Sequence, residues 1–145
     1  MNASELMVGD YVKVKTDDDT FIKVQIRTLE FDIMWANIDD DETCDAISYD
    51  DIEAIPLTQE ILEKNGFYEQ SEDYMRYFKS YDENYYFGFE SISYCLDTKI
   101  AKVIKEGKQS GVQEKVELVC AYVHQLQHAL RLCGIEKEIV LSLFC

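Results

Sequence analysis

The sequence predicts an α+β protein in two parts: a small β-barrel over residues 1–56, then an aromatic-rich sheet packed with a long C-terminal helix over residues 57–145. Three observations predict it. Short segments before Pro56 alternate apolar and polar residues. Aromatic residues crowd the stretch Tyr74–Tyr94 around a charged turn. Apolar residues recur at spacings of three and four toward Cys133. A chain of 145 residues suits one compact domain or two small intimate ones.

The elements follow in order. Asp10–Thr16 alternates, with Val12 and Val14 on one face, and Asp17-Asp18-Asp19 makes a charged turn. In Phe21–Glu30, Ile22, Val24 and Ile26 share a face against Lys23, Gln25 and Arg27. Ile33–Ile38 is a third strand carrying Trp35, and Asp39–Glu42 is a second acidic turn. Ala46–Tyr49 and Ile52–Ile55 complete five strands. None of them buries a face alone, so a curled sheet or small barrel is expected. The opening Val8-Gly9-Asp10-Tyr11-Val12 and the closing Asp51-Ile52-Glu53-Ala54-Ile55 resemble SH3-like barrels. That fold hosts many functions.

Pro56 marks the boundary. Thr58 caps a short helix over Gln59–Asn65, Glu60 favours its N-terminal dipole, and Asn65-Gly66 stops it. Tyr74–Lys79 and Tyr85–Tyr94 are expected as a hairpin around Tyr81-Asp82-Glu83-Asn84. Ile100–Ile104 is a third strand and Glu106–Gly111 a glycine-containing loop. The long helix is placed at Gln113–Cys133, with Val119, Tyr122, Val123, Leu126, Leu130 and Cys133 as its stripe and Gly134 as its stop. Ile139–Phe144 reads as a last strand or an apolar tail, and a projecting tail would associate with another copy.

The charge is −15, and it is unevenly placed. Residues 1–56 hold 15 acids against 4 bases, whereas residues 98–145 hold 5 against 7. Phosphates would meet a negative field, so direct nucleic-acid binding is not expected. The acidic front serves solubility, or it attracts a basic protein by mimicking a nucleic acid. No run of 18 apolar residues spans a membrane, and residues 1–10 lack the basic start of a secretory signal. Five cysteines without CxxC spacing read as free thiols of a reducing, cytoplasmic setting.

His124 and His128 stand four apart, which places both imidazoles on one helical face, a turn beyond Cys120. Cys120, His124 and His128 make a conceivable zinc set. Against it, Gln125 stands where a zincin motif needs glutamate, and spacing supplies no fourth ligand. No metal or other cofactor is therefore expected. Helical phase puts the histidines opposite the apolar stripe, on a polar face shared with Gln127 and Arg131. The acidic turns lack the spacing of a calcium loop. No nucleophile elbow, phosphate-cradling glycine loop or zincin motif is present.

Three segments carry a resemblance. Met1-Asn2-Ala3-Ser4-Glu5-Leu6 runs into Val8-Gly9-Asp10; Ile55-Pro56-Leu57-Thr58 precedes Glu60, Leu62 and Asn65-Gly66-Phe67; and Tyr122-Val123-His124-Gln125-Leu126-Gln127 follows later. Together they resemble a family of small uncharacterised proteins of Bacteroides-type gut bacteria and their phages and mobile elements. The resemblance implies a cytoplasmic, mobile-genome origin and transfers no catalytic residue.

A non-enzymatic binding protein is the expectation, by analogy a counter-defence factor that sequesters a host protein or a small anionic, nucleotide-like ligand. Tyr122, His124, Gln127, His128, Arg131, Tyr85 and Tyr86 are its candidate ligand-binding residues. An acidic nucleic-acid mimic is one alternative. A nucleotide-signal hydrolase is another, with His124, His128, Arg131 and Tyr122 supplying proton transfer and phosphate charge. A homo-oligomer is a further expectation for the apolar C-terminus.

Overall fold

A computed structural model of the chain describes residues 1–38, 44–80, 88–109, 112–135 and 137–141. The fold is mixed α+β, with two antiparallel five-stranded sheets and one main helix. The chain divides into two compact units. The first holds Met1–Pro56 together with Tyr122–His124, Val140 and Leu141; the second holds Leu57–Ala121 and Gln125–Ile139.

The first unit contains β1 (Tyr11–Lys15), β2 (Phe21–Leu29), β3 (Ile33–Ala36), β4 (Asp45–Ser48) and β5 (Ile52–Glu53), in the order β4-β3-β2-β1-β5. A 3₁₀ turn, Tyr49–Asp51, joins β4 to β5. The sequence reading expected a curled sheet or barrel. The ladder is open instead, because no pairing among the described residues joins β4 to β5. Period-two alternation sends Val12, Val14, Val24, Ile26, Met34, Ala36, Ile47 and Ile52 into one core. The Tyr49 hydroxyl donates to the carbonyls of Glu30 and Ile33, which ties the 3₁₀ turn to β3. Gly9, at φ 94°, allows the Met7–Asp10 turn, where buried Asp10 accepts from the Met7 amide at 2.8 Å.

The second unit opens with α1 (Gln59–Lys64). Thr58 Oγ1 accepts from the Ile61 amide at 3.2 Å. A full Schellman motif ends the helix: Gly66 donates to Glu63 O at 3.2 Å and Phe67 to Leu62 O at 3.0 Å. The sheet then comprises β6 (Tyr68–Ser71), β7 (Tyr74–Ser80), β8 (Gly88–Cys95), β9 (Ile100–Gln109) and β10 (Val112–Cys120), an uninterrupted meander in the order β10-β9-β8-β7-β6. Directly paired residues share a face. One face buries Met75, Tyr94, Ala101 and Cys120 in a row, beside Ile92 and Val103.

Two expectations are corrected here, and two further segments are assigned. Residues 113–120 are strand, and α2 covers only Val123–Leu132. Val116, Leu118 and Cys120 alternate with Lys115, Glu117 and Val119, a period of two that pairing with β9 stabilises. Most of the expected loop Glu106–Gly111 continues β9, which leaves residues 110 and 111 between paired Gln109 and Val112. Tyr68–Ser71 forms a strand the sequence reading left unassigned. Of the segment Ile139–Phe144, read as a last strand or an apolar tail, residues 139–141 take no strand conformation, with Ile139 and Leu141 buried and Val140 exposed; residues 142–144 lie outside the described residues. The Asp39–Glu42 and Tyr81–Asn84 turns lie outside the described residues, except that Cα pairing of β7 with β8 brackets the latter.

Candidate functional site

The residues chosen from the sequence do not gather as helical phase suggested. Tyr122 precedes α2 and forms an isolated bridge with Pro56, while the Val123 amide donates to Ile55 O at 2.9 Å. It is partly exposed and stacks on His124, with ring centroids 6.1 Å apart. His124 is only 5% exposed and Gln127 7%, so the expected polar, solvent-facing side is corrected for both. The cause is that α2 buries Val123, His124, Leu126, Gln127, Ala129 and Leu130, a band wider than one apolar stripe. His128 is half-buried and Arg131 exposed. Tyr85 and Tyr86 lie outside the described residues.

The zinc spacing dissolves for a simple reason. Cys120 ends a strand, so it is no longer one helical turn from His124. Among the described residues, no cluster of three or more His, Cys, Asp or Glu side chains is arranged to hold a metal ion. No helix among them is long and apolar enough to cross a membrane.

Tyr122 lines a shallow cleft of about 580 Å³ in the first unit, with Lys13, Asp50, Ile52, Glu53 and Pro56 among its walls. Its one lysine is already engaged. Lys13 Nζ lies 3.7 Å from Glu53 Oε2 and 4.9 Å from the centre of the Phe21 ring. The lining is mixed, with Ile52 and Pro56 beside the carboxylates of Asp50 and Glu53, which repel anions.

The second sheet offers a different surface on the face opposite its core. Tyr68, Arg76, Ser93, Lys102 and Val119 form one cross-strand row over all five strands. Tyr74, Cys95 and Ile100 form the next. Tyr68, Tyr74, Ile100 and Val119 are exposed apolar groups. Arg76 Nε is buried with no hydrogen-bond partner among the described residues. Lys102 stands two strand spacings away, about 10 Å, and reaches Glu117 Oε1 at 3.7 Å. Sequence reasoning passed over Arg76 and Lys102. Lys102 lies between buried Ala101 and Val103, and Arg76 follows buried Met75; that alternation was the signal available.

The thiols differ in character. Among the described residues, Cys44, Cys95, Cys120 and Cys133 form no disulfide. Hydrogen bonds from the Thr98 side chain and amide hold the Cys95 thiol below its ordinary range. Burial pushes the Cys120 thiol up to about 12. Burial, and secondarily the charge of Cys95, raises Tyr94, whose hydroxyl donates to Leu57 O at 3.0 Å.

Comparison with family models, with curated proteins and with solved structures returned no match. The functional reading therefore depends on this chain's own surfaces.

Proposed function

We propose that this chain is a non-enzymatic binding protein that takes a small anionic, nucleotide-like ligand on the open face of its second sheet. The observation that carries the reading is the buried Arg76 Nε, which lacks an acceptor among the described residues. A buried donor left unmatched costs about 1–3 kcal/mol. A phosphate or carboxylate oxygen offers the charge-assisted partner that guanidinium prefers. Ser93 and Lys102 in the same row add a hydroxyl and a second cation, and the exposed rings of Tyr68 and Tyr74 flank them.

The test is calorimetric titration with inorganic phosphate and with a nucleoside monophosphate. The expected result is that Arg76→Met weakens binding about tenfold or more, with a smaller loss for Lys102→Met because Glu117 already engages that ammonium. Equal affinity in all three proteins, or no binding to the native chain, overturns the reading.

In a phage or mobile-element setting, such a protein acts by sequestration, as a counter-defence factor in the cytoplasm. The hydrolase alternative draws no support from α2, where His124 is enclosed. We read the first unit as an open relative of SH3-like barrels. The strand order β4-β3-β2-β1-β5 and the 3₁₀ turn before β5 support this.

A second reading concerns that unit. Asp17, Asp18, Asp32, Asp50 and Asp51 are exposed there, and they motivate capture of a basic host protein by nucleic-acid mimicry. Binding to such a partner is expected to weaken steeply between 50 and 500 mM salt, roughly the range over which screening collapses to a few ångströms. Salt-independent retention on the protein column would exclude it.

A further inference from the structure

We propose that β10 is a homodimer edge, pairing antiparallel with β10 of a second copy about a two-fold axis through Val116. β10 ends its sheet and, over Val112–Cys120, is paired on one side only among the described residues; just beyond it the Ala121 carbonyl accepts from the Leu57 amide at 3.1 Å. It runs nine residues without a register shift. The other sheet ends are blunted: β6 has four residues and a bulge, β4 has four residues, and β5 has two. A long straight edge is a template for another strand unless it is covered or charged against pairing.

The charges of β10 suit a second copy of itself. Along the edge, Lys115, Val116 and Glu117 are exposed, and Val119 is 60% exposed. In an antiparallel two-fold pair centred on Val116, Lys115 of each copy faces Glu117 of the other, and Val116 faces Val116. Registers centred on Lys115 or Glu117 instead oppose like charges, which destabilises cross-strand pairs. The chosen centre also keeps residues 113–119 overlapped, short of Ala121, whose outward carbonyl already accepts from the Leu57 amide at 3.1 Å.

The backbone agrees with that register. Gln109 and Val112 close the β9–β10 hairpin across two residues, so they are a hydrogen-bonded pair. Hydrogen-bonded pairs then recur at every second position. Val116 therefore bonds inward to Lys105, while Lys115, Glu117 and Val119 turn their amide and carbonyl groups outward. The two-fold axis brings outward groups opposite outward groups. It leaves Val116 opposite Val116 in the closer, non-hydrogen-bonded spacing, with Cα atoms about 4.5 Å apart. In the existing Lys115–Glu106 and Lys102–Glu117 contacts, 3.4 and 3.7 Å, the Lys115 and Glu117 side chains remain exposed and can share a second partner.

The experiment is native mass spectrometry of the full chain over a concentration series, with one partner isotopically labelled in the mixtures. The native chain is expected to dimerise. Lys115→Glu alone and Glu117→Lys alone each create two like-charge pairs, so each should raise the dimer dissociation constant about tenfold or more. Mixing the two variants restores both opposite-charge pairs, and a heterodimer of native affinity should form. Misfolding of either variant would not be rescued by mixing, so the readout separates pairing from fold. In addition, Val116→Cys should oxidise to a disulfide-linked dimer, with the bridge mapped by peptide analysis to position 116 of both copies; the spacing lies within disulfide range. A monomeric native chain at every concentration overturns the proposal. So does unchanged dimerisation of the single-charge variants, or failure of the mixture to recover.

Discussion

The Leu126→Ala variant should unfold at a markedly lower denaturant midpoint, having lost about 2–5 kcal/mol of stability. Leu126 is fully enclosed on α2, at 0% exposure. Truncation removes its transfer free energy and leaves a cavity that close-packed neighbours fill only in part. Leu132 is the internal control. It belongs to the same helix and is the same residue type, yet it is 79% exposed. Leu132→Ala should therefore change stability by no more than about 0.5 kcal/mol. Urea titrations of the two variants under one buffer check the pair. Equal losses would mean that α2 does not bury the face described here.

The second large effect is alkaline destabilisation through Cys120. Its thiol faces Ala101 O at 3.8 Å on the buried face of the second sheet, and burial raises it from the ordinary 9.0 to about 12. The folded chain therefore holds this proton more tightly than the unfolded chain does. The stabilisation is complete below pH 9 and is lost as pH rises toward about 12. One proton over a span of about three pH units corresponds to roughly 4 kcal/mol in all, or about 1.4 kcal/mol per unit. Raised Tyr94 acts in the same direction at higher pH. Urea midpoints at pH 7, 9 and 10.5 should fall across the upper interval. Cys120→Ala should remove one proton's worth of that slope while lowering stability at neutral pH through the lost packing. An identical slope in both proteins would show that Cys120 ionises as freely in the fold as outside it.

The two helix stops show how far local chemistry carries. Gly66 and Gly134 both take positive φ, at 87° and 67°, and both complete Schellman motifs. These were readable because a glycine after an apolar turn acts through bonds only a few residues apart. The start of α2 was not readable in the same way. Its entry is set by the Pro56–Tyr122 bridge and by the Ala121 amide donating to Gln125 Oε1 at 2.9 Å, and the bridge joins positions far apart in the chain. Without it, Val119 and Tyr122 extended the helical stripe backward over a strand. His124 and Gln127 were misplaced for a related reason. A helical wheel gives one apolar face, whereas burial on α2 extends around more than one side.

By itself, the sequence determined the α+β class, the period-two strands of the first unit, both glycine stops and the acidic front. Each of these follows from side-chain periodicity, backbone freedom or summed charge, all local or additive quantities. Tertiary structure alone decided that residues 112–120 form an edge strand, that His124 is enclosed, and that Arg76, Ser93 and Lys102 share one row. Those features depend on which strands pair and in what register. Pairing is a cooperative choice among distant segments, and no window of neighbouring residues contains it.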